Sequence, residues 1–248
     1  MDMKIRYYIP NTITALNLTC GLVAITRAME GDLVTAALFI LLATVFDFLD
    51  GSLARLLDAG SEFGRQLDSL ADVVSFGVAP GIIVFNMLSV NCEGSCNILD
   101  RYAITPYFGL LIPLCAALRL AKFNIDPGQR DSFSGLTTTA SAIFFASVTL
   151  VIFLSGRFYT LLPLDFLPEL LSMNRVLAIL AVFFSYLMIS DYRMFALKFR
   201  TAAWRENRLQ YLFLIGAALL IFVFSLSGLP LVILLYIVMS LGIQGKTA

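Results

Sequence analysis

The sequence predicts an all-α fold, a polytopic helical bundle embedded in a membrane, and three observations carry that prediction. Apolar runs of about 18 residues or more recur along the chain, the length at which a helix crosses a bilayer. Charged residues make up only 14% of the chain, where a soluble domain clothes its surface with about 25%. Mean hydropathy is +0.88 over 248 residues. The formal net charge is zero, and no basic stripe is present, so nothing in the charge pattern suits nucleic acid.

The spans follow in order. The N-terminal "MDMKIRYYIPNTITALN" lacks the short apolar core and small-residue cleavage site of a signal peptide, so the first apolar segment, 9–29, reads as a retained span. The second, 32–57, ends in "FDFLDGSLARLL", and the third, 65–90, begins in "FGRQLDSLADVVSF". The connection between them is short, which makes the two helices antiparallel neighbours. Further spans are expected over 101–123, 136–155 and 173–190. The last two, 209–226 and 229–243, are joined by the turn-like "SLSGLP". No soluble domain, repeat or low-complexity tract interrupts residues 1–248, which read as one integral domain.

Placement of Lys and Arg sets the expected orientation. With the N-terminus in the cytosol, 13 basic residues fall on the cytosolic side. Four (Arg27, Arg101, Arg157 and Arg175) fall outside. This puts both chain ends and the 58–64 connection in the cytosol, and the loop carrying Cys92 and Cys96 outside, where a bacterial periplasm permits a disulfide. That pair reads equally as a disulfide or as two idle thiols. Cys20 and Cys115 fall in apolar stretches as small hydrophobes. Histidine is absent altogether, which removes imidazole as base, acid or metal ligand.

Four acids stand out against this apolar background. Asp47 and Asp50 are three apart at the end of span two, and Asp68 and Asp72 are four apart at the start of span three. On a helix each pair shares a face, and both pairs converge near the cytosolic surface. An aspartate at mid-helix costs about 2.5–3.5 kcal/mol to insert, so four approach ~10 kcal/mol before shallow placement relieves them. Converging carboxylates also repel. Divalent cations answer both objections. An oxygen-only donor set without His or Cys selects hard ions such as Mg²⁺ or Mn²⁺, and a two-metal carboxylate site beside water suits phosphoryl transfer. Asp58 and Glu62 read as loop charges. Gly51 and Ala54 clear one patch of helix surface, either for a ligand or for a close helix contact. Arg55 either snorkels to the interface or neutralises a phosphate oxygen.

The eight positions Asp47, Asp50, Gly51, Ala54, Arg55, Gly64, Asp68 and Asp72 resemble the signature of the CDP-alcohol phosphotransferases in identity and spacing. The wider context, "IPNTITALNLTCGLVAI", "DSLADVVSFGVAPG", "ALRLAKFN" and "FSGL", is similar to the bacterial phosphatidylserine synthases. Thr137 departs from that pattern, standing where those enzymes usually carry proline. The resemblance implies a six-helix catalytic core within residues 1–190, and about two extra transmembrane helices after a cytosolic linker in 191–248. It implies transfer of the phosphatidyl group from CDP-diacylglycerol to the hydroxyl of L-serine, with release of CMP, at the cytosolic face of a bacterial inner membrane.

Carried over position by position, Asp47, Asp50, Asp68 and Asp72 hold two divalent cations, and Asp72 is also the general base. A carboxylate is a weak base toward an alcohol, so metal charge near the hydroxyl has to narrow the gap. Gly51, Ala54, Arg55, Ser61 and Gly64 map onto the CDP-diacylglycerol site, joined by Asn11 and Thr14 of span one, which also read as an ordinary polar helix start. For the acceptor, "LRLAKFN" offers Arg119, Lys122 and Asn124, with Arg130 beyond. Arg119 lies deepest in the apolar run. Lys122 and Arg130 read equally as positive-inside anchors. Family members are commonly homodimers, and the same is implied here. Two alternatives remain: another acceptor, such as glycerol 3-phosphate or an inositol phosphate, or a cation transporter. A transporter predicts acids spread through several spans, whereas these acids are confined to two adjacent helix ends.

Overall fold

In a computed structural model of the chain, residues 3–90, 104–125, 133–154, 164, 166–194 and 207–244 are described. Cys92, Cys96, Arg130 and most of the 191–208 linker lie outside them. Helix α1 spans Met3–Met29 and α2 spans Leu33–Leu56. Asp32 caps α2, accepting a hydrogen bond from the Thr35 amide at 3.1 Å. Hydrogen bonding from the Thr35 side chain and backbone holds the Asp32 carboxyl below its ordinary range.

The third span is one long helix with a flaw in it. Helix α3 (Glu62–Asp72) passes into a single π-helical segment, Val73–Val78, and continues as α4 (Ala79–Val90). Ser61 starts it as N-cap, its hydroxyl accepting from the Gly64 amide at 2.9 Å. A 3-10 turn, Thr105–Leu110, leads into α5, Leu111–Ile125. Helix α6, Thr138–Leu154, has 17 residues, about 25 Å of rise. Most of its second half is buried, so it runs through the middle of the bundle.

Helices α7 (Phe166–Ser172) and α8 (Asn174–Ile189) form one apolar unit bent by 74° at Met173. The predicted sixth span, 173–190, is helix α8 alone, and the 74° bend at its start sets α7 at an angle to it. Helices α9 (Arg208–Phe224) and α10 (Gly228–Gln244) are linked by a 3-10 turn at Ser225–Ser227. Ser225 has φ +50°, and the chain doubles back there. Phe213 meets Tyr236 edge-on at 5.9 Å, and a Cβ on Gly216 would come within 2.9 Å of Leu235 Cδ2. These contacts are only possible in a hairpin, as the "SLSGLP" break predicted. Among the described residues the one strand pairing is two residues long, Phe133–Ser134 (β1) antiparallel to Arg193–Met194 (β2). The all-α expectation stands.

The core lies where α6 crosses α8. Phe144 stacks on Phe184 at 4.1 Å and Phe145 meets Phe184 edge-on at 5.4 Å, all three fully buried. Offset aromatic packing of this kind adds to plain area burial. At the end of the bundle away from the acids, the Asn86 amide donates to the Ala28 carbonyl at 2.6 Å, tying α4 to the end of α1. The acidic end is thus built on a packed helical scaffold.

Candidate active site

Helices α2 and α3 flank the short Leu57–Ser61 connection but barely touch each other; α1 packs against both, so the direct pairing expected of them is made through α1 instead. Their acids meet at one end of the bundle. Carboxylate oxygens of Asp47, Asp50 and Asp68 lie within 4.8 Å of one another. Asp50 is buried at 5% exposure, and its Oδ2 accepts from the Thr14 hydroxyl at 2.7 Å. The Thr139 side chain, from α6, lies near Asp47. Asp68 Oδ1 is buried with no hydrogen-bond donor among the described residues.

A buried carboxylate oxygen without a donor is costly, and three convergent oxygen ligands are the donor set of a hard divalent cation. These residues fit such an ion. Asp72 stands apart from this trio, although it lies within electrostatic reach of all three. Its Oδ1 accepts instead from the Asn17 amide of α1 at 3.4 Å.

A cleft of about 180 Å³ opens beside the carboxylates. Asn11, Thr14, Gly51, Ala54, Ser61 and Gly64 line it together with Asp50 and Asp68. A Cβ added to Gly51 would meet nothing within 4 Å. Gly51 therefore faces the cleft, and the alternative of a close helix contact there does not hold. Gly64 is different: a Cβ would sit 2.9 Å from Asn11 Oδ1 and 3.0 Å from Ser61 Oγ. Asn11 and Thr14 lie well inside α1, which begins at Met3, so the alternative of a polar helix start fails for both.

The remaining predicted residues divide. Arg55 is exposed and donates to Ser52 at 3.4 Å; it does not line the cleft. Arg65 does, and it is paired with Glu62. Asp58 and Glu62 are exposed and outside the cluster. Arg119 of α5 lies within electrostatic reach of Asp72, and its Nε is buried without a hydrogen-bond partner among the described residues. Lys122 is bound to Asp191 at 2.5 Å, and the Asn124 amide donates to Ser69 at 3.0 Å. Reasoning from spacing alone missed Asn17 and Thr139. Both sit among other polar residues, "NTITALNLT" and "LTTTAS", and only the neighbouring acids single them out.

A helical membrane bundle with an all-oxygen carboxylate trio beside a small-residue cleft defines a metal-using group transferase that works at a lipid surface. Residues 7–164 match the CDP-alcohol phosphatidyltransferase family, and the chain belongs to that family. Over 149 residues it is 39% identical to the CDP-diacylglycerol–serine O-phosphatidyltransferase of Bacillus subtilis, covering 58% of this chain and 74% of that protein. It is 38% identical over 159 residues to the archaetidylserine synthase of Methanothermobacter thermautotrophicus, covering 62% and 64%. It is 33% identical over 163 residues to the CDP-diacylglycerol–serine O-phosphatidyltransferase of Helicobacter pylori, covering 65% and 64%. The aligned stretch thus spans under two thirds of the latter two.

Proposed function

We propose that this chain is a phosphatidylserine synthase, dependent on Mg²⁺ or Mn²⁺, that transfers the phosphatidyl group of CDP-diacylglycerol to L-serine. The observation that carries the proposal is the carboxylate trio beside the cleft, with Asp72 and Arg119 adjacent to it. A divalent cation held by Asp47, Asp50 and Asp68 would supply positive charge to phosphate oxygens. Two such ions is the fuller form of the reading, with Asp72 kept free of them to take the proton.

The chain's own residues do the rest. The cleft walls at Gly51, Ala54 and Gly64 leave room for the nucleotide end of the donor, and Asn11 and Ser61 offer it polar contacts. Asp72 takes the proton from the serine hydroxyl as the new oxygen–phosphorus bond forms. The bond from that phosphorus to CMP breaks, and CMP leaves. Arg119 pairs with the serine carboxylate, which its unpartnered Nε suits. Lys122 is tied to Asp191, so among the described residues of α5 Arg119 is the cation directed toward Asp72. The relatives' names differ in the lipid, phosphatidyl or archaetidyl, but share serine.

By the positive-inside bias the site faces the cytosol of a bacterial inner membrane. The catalytic unit is residues 1–190, with the α9–α10 hairpin as an addition, and the working form is a homodimer. The test is an acceptor panel: purified protein with Mn²⁺ and CDP-diacylglycerol releases CMP with L-serine and not with glycerol 3-phosphate or an inositol phosphate. Equal release with a phosphorylated alcohol would refute serine and leave the family assignment standing.

A further inference from the structure

Asp72 is separated from the metal-binding trio by something specific. Asn17 sits on α1 facing it, fully buried, with its amide nitrogen 3.4 Å from Asp72 Oδ1. The amide orientation follows from chemistry: the reverse flip would set a carbonyl oxygen against a carboxylate, two acceptors with no proton between them. Asn17 Oδ1 is buried and has no partner among the described residues. This residue gives up one of its own hydrogen bonds in the interior, at a cost, while its amide remains directed at Asp72.

The backbone around Asn17 is held as firmly. Its carbonyl accepts from the Ser75 hydroxyl at 3.0 Å, and Ser75 is itself fully buried. Ser75 lies in the π-helical segment that begins directly after Asp72. One turn along α1, a Cβ on Gly21 would sit 2.4 Å from Ser75 Oγ and 2.8 Å from Ser75 Cα. Only glycine lets α1 approach this closely. The π segment widens the helix by one residue at the point where Gly21 admits it, a local departure of the kind often found at functional sites.

We propose that Asn17 is a positioning residue for Asp72, and that the Gly21–Ser75 contact locks α1 against the π segment so that it can act as one. Bound at one oxygen by a neutral amide, Asp72 keeps its other oxygen for the acceptor hydroxyl and is restrained from swinging into the trio. This rests on the reading of Asp72 as the base for the transfer.

The experiment compares Asn17→Ala, Asn17→Ser, Ser75→Ala and Gly21→Ala with the wild type in the CMP-release assay. Each is also tested for Mn²⁺ dependence and for thermal stability in detergent. Asn17→Ala is expected to lower kcat about tenfold or more, leaving the CDP-diacylglycerol KM and Mn²⁺ dependence within about threefold. Asn17→Ser keeps a donor and should recover part of the rate. Gly21→Ala should repeat the Asn17→Ala signature, and Ser75→Ala should show a weaker form of it.

A kcat for Asn17→Ala within twofold of wild type would overturn the proposal. So would a loss that Asn17→Ser does not relieve, or one shared equally by kcat, Mn²⁺ dependence and thermal stability, the marks of a structural role. If the wild type prefers another acceptor, the same comparison is made with that acceptor, and the serine assignment alone fails. A wild type inert toward every acceptor would refute the functional reading itself.

Discussion

Replacing Thr14 by valine keeps the side-chain shape and removes one hydroxyl. That hydroxyl donates to Asp50 Oδ2 at 2.7 Å, and both residues are buried, at 3% and 5% exposure. Water therefore cannot replace it readily. A hydrogen bond to a charged group is worth about 1.5–3 kcal/mol, and each 1.4 kcal/mol is about tenfold. The expected loss is thus about 10- to 150-fold, close to the 10- to 100-fold drop in metal affinity typical when an outer partner of a ligating carboxylate is removed. The loss should fall on metal affinity, because Asp50 would keep its charge and lose only its orientation. The assay is CMP release as a function of Mn²⁺ concentration. Thr14→Val should need about 10- to 100-fold more Mn²⁺ for half-maximal rate and approach the wild-type rate at saturation. An unchanged Mn²⁺ requirement would refute the assignment of Asp50 as a ligand oriented by Thr14. A fall in rate that no Mn²⁺ concentration restores would refute it equally.

Four further outcomes are expected. Gly64→Ala places a Cβ 2.9 Å from Asn11 Oδ1 and should raise the KM for CDP-diacylglycerol about tenfold while leaving that for serine unchanged, as substrate titrations would show. Asp68→Asn should lower turnover by more than the ~100-fold typical of an outer partner, and chelation should abolish wild-type activity until Mn²⁺ or Mg²⁺ is returned. Arg119→Ala should raise the serine KM about 10- to 100-fold, with Arg119→Lys intermediate, because a point charge replaces a planar fork. Lys122→Ala should change the serine KM less than threefold, since its pairing with Asp191 is an exposed one worth about 0–1 kcal/mol.

The site was legible in the sequence to the extent that helical spacing reports it. Asp47 with Asp50, and Asp68 with Asp72, had to share helix faces, and a short connection had to bring those faces together. The same logic separated Asp58 and Glu62, both of which are exposed. Spacing could not divide the four acids, because Asp72 stands four residues from Asp68 whether or not they reach one point. Nor could it rank the residues of "LRLAKFN". Arg119 remains directed at the site because Lys122 and Asn124 found partners, Asp191 and Ser69, far away in sequence.

By itself, then, the sequence determined the class of this protein: a membrane bundle, because its apolar runs are long enough to span, with one acidic site, because only two adjacent helix ends carry the intramembrane acids. Tertiary structure alone decided which three carboxylates form the trio, that Asn17 faces the fourth, and that α7 bends away from α8 by 74°. Those outcomes depend on helix depth, tilt and close approach, such as Gly21 against Ser75. The Asn17–Asp72 and Gly21–Ser75 contacts join segments more than fifty residues apart, and no local periodicity records them.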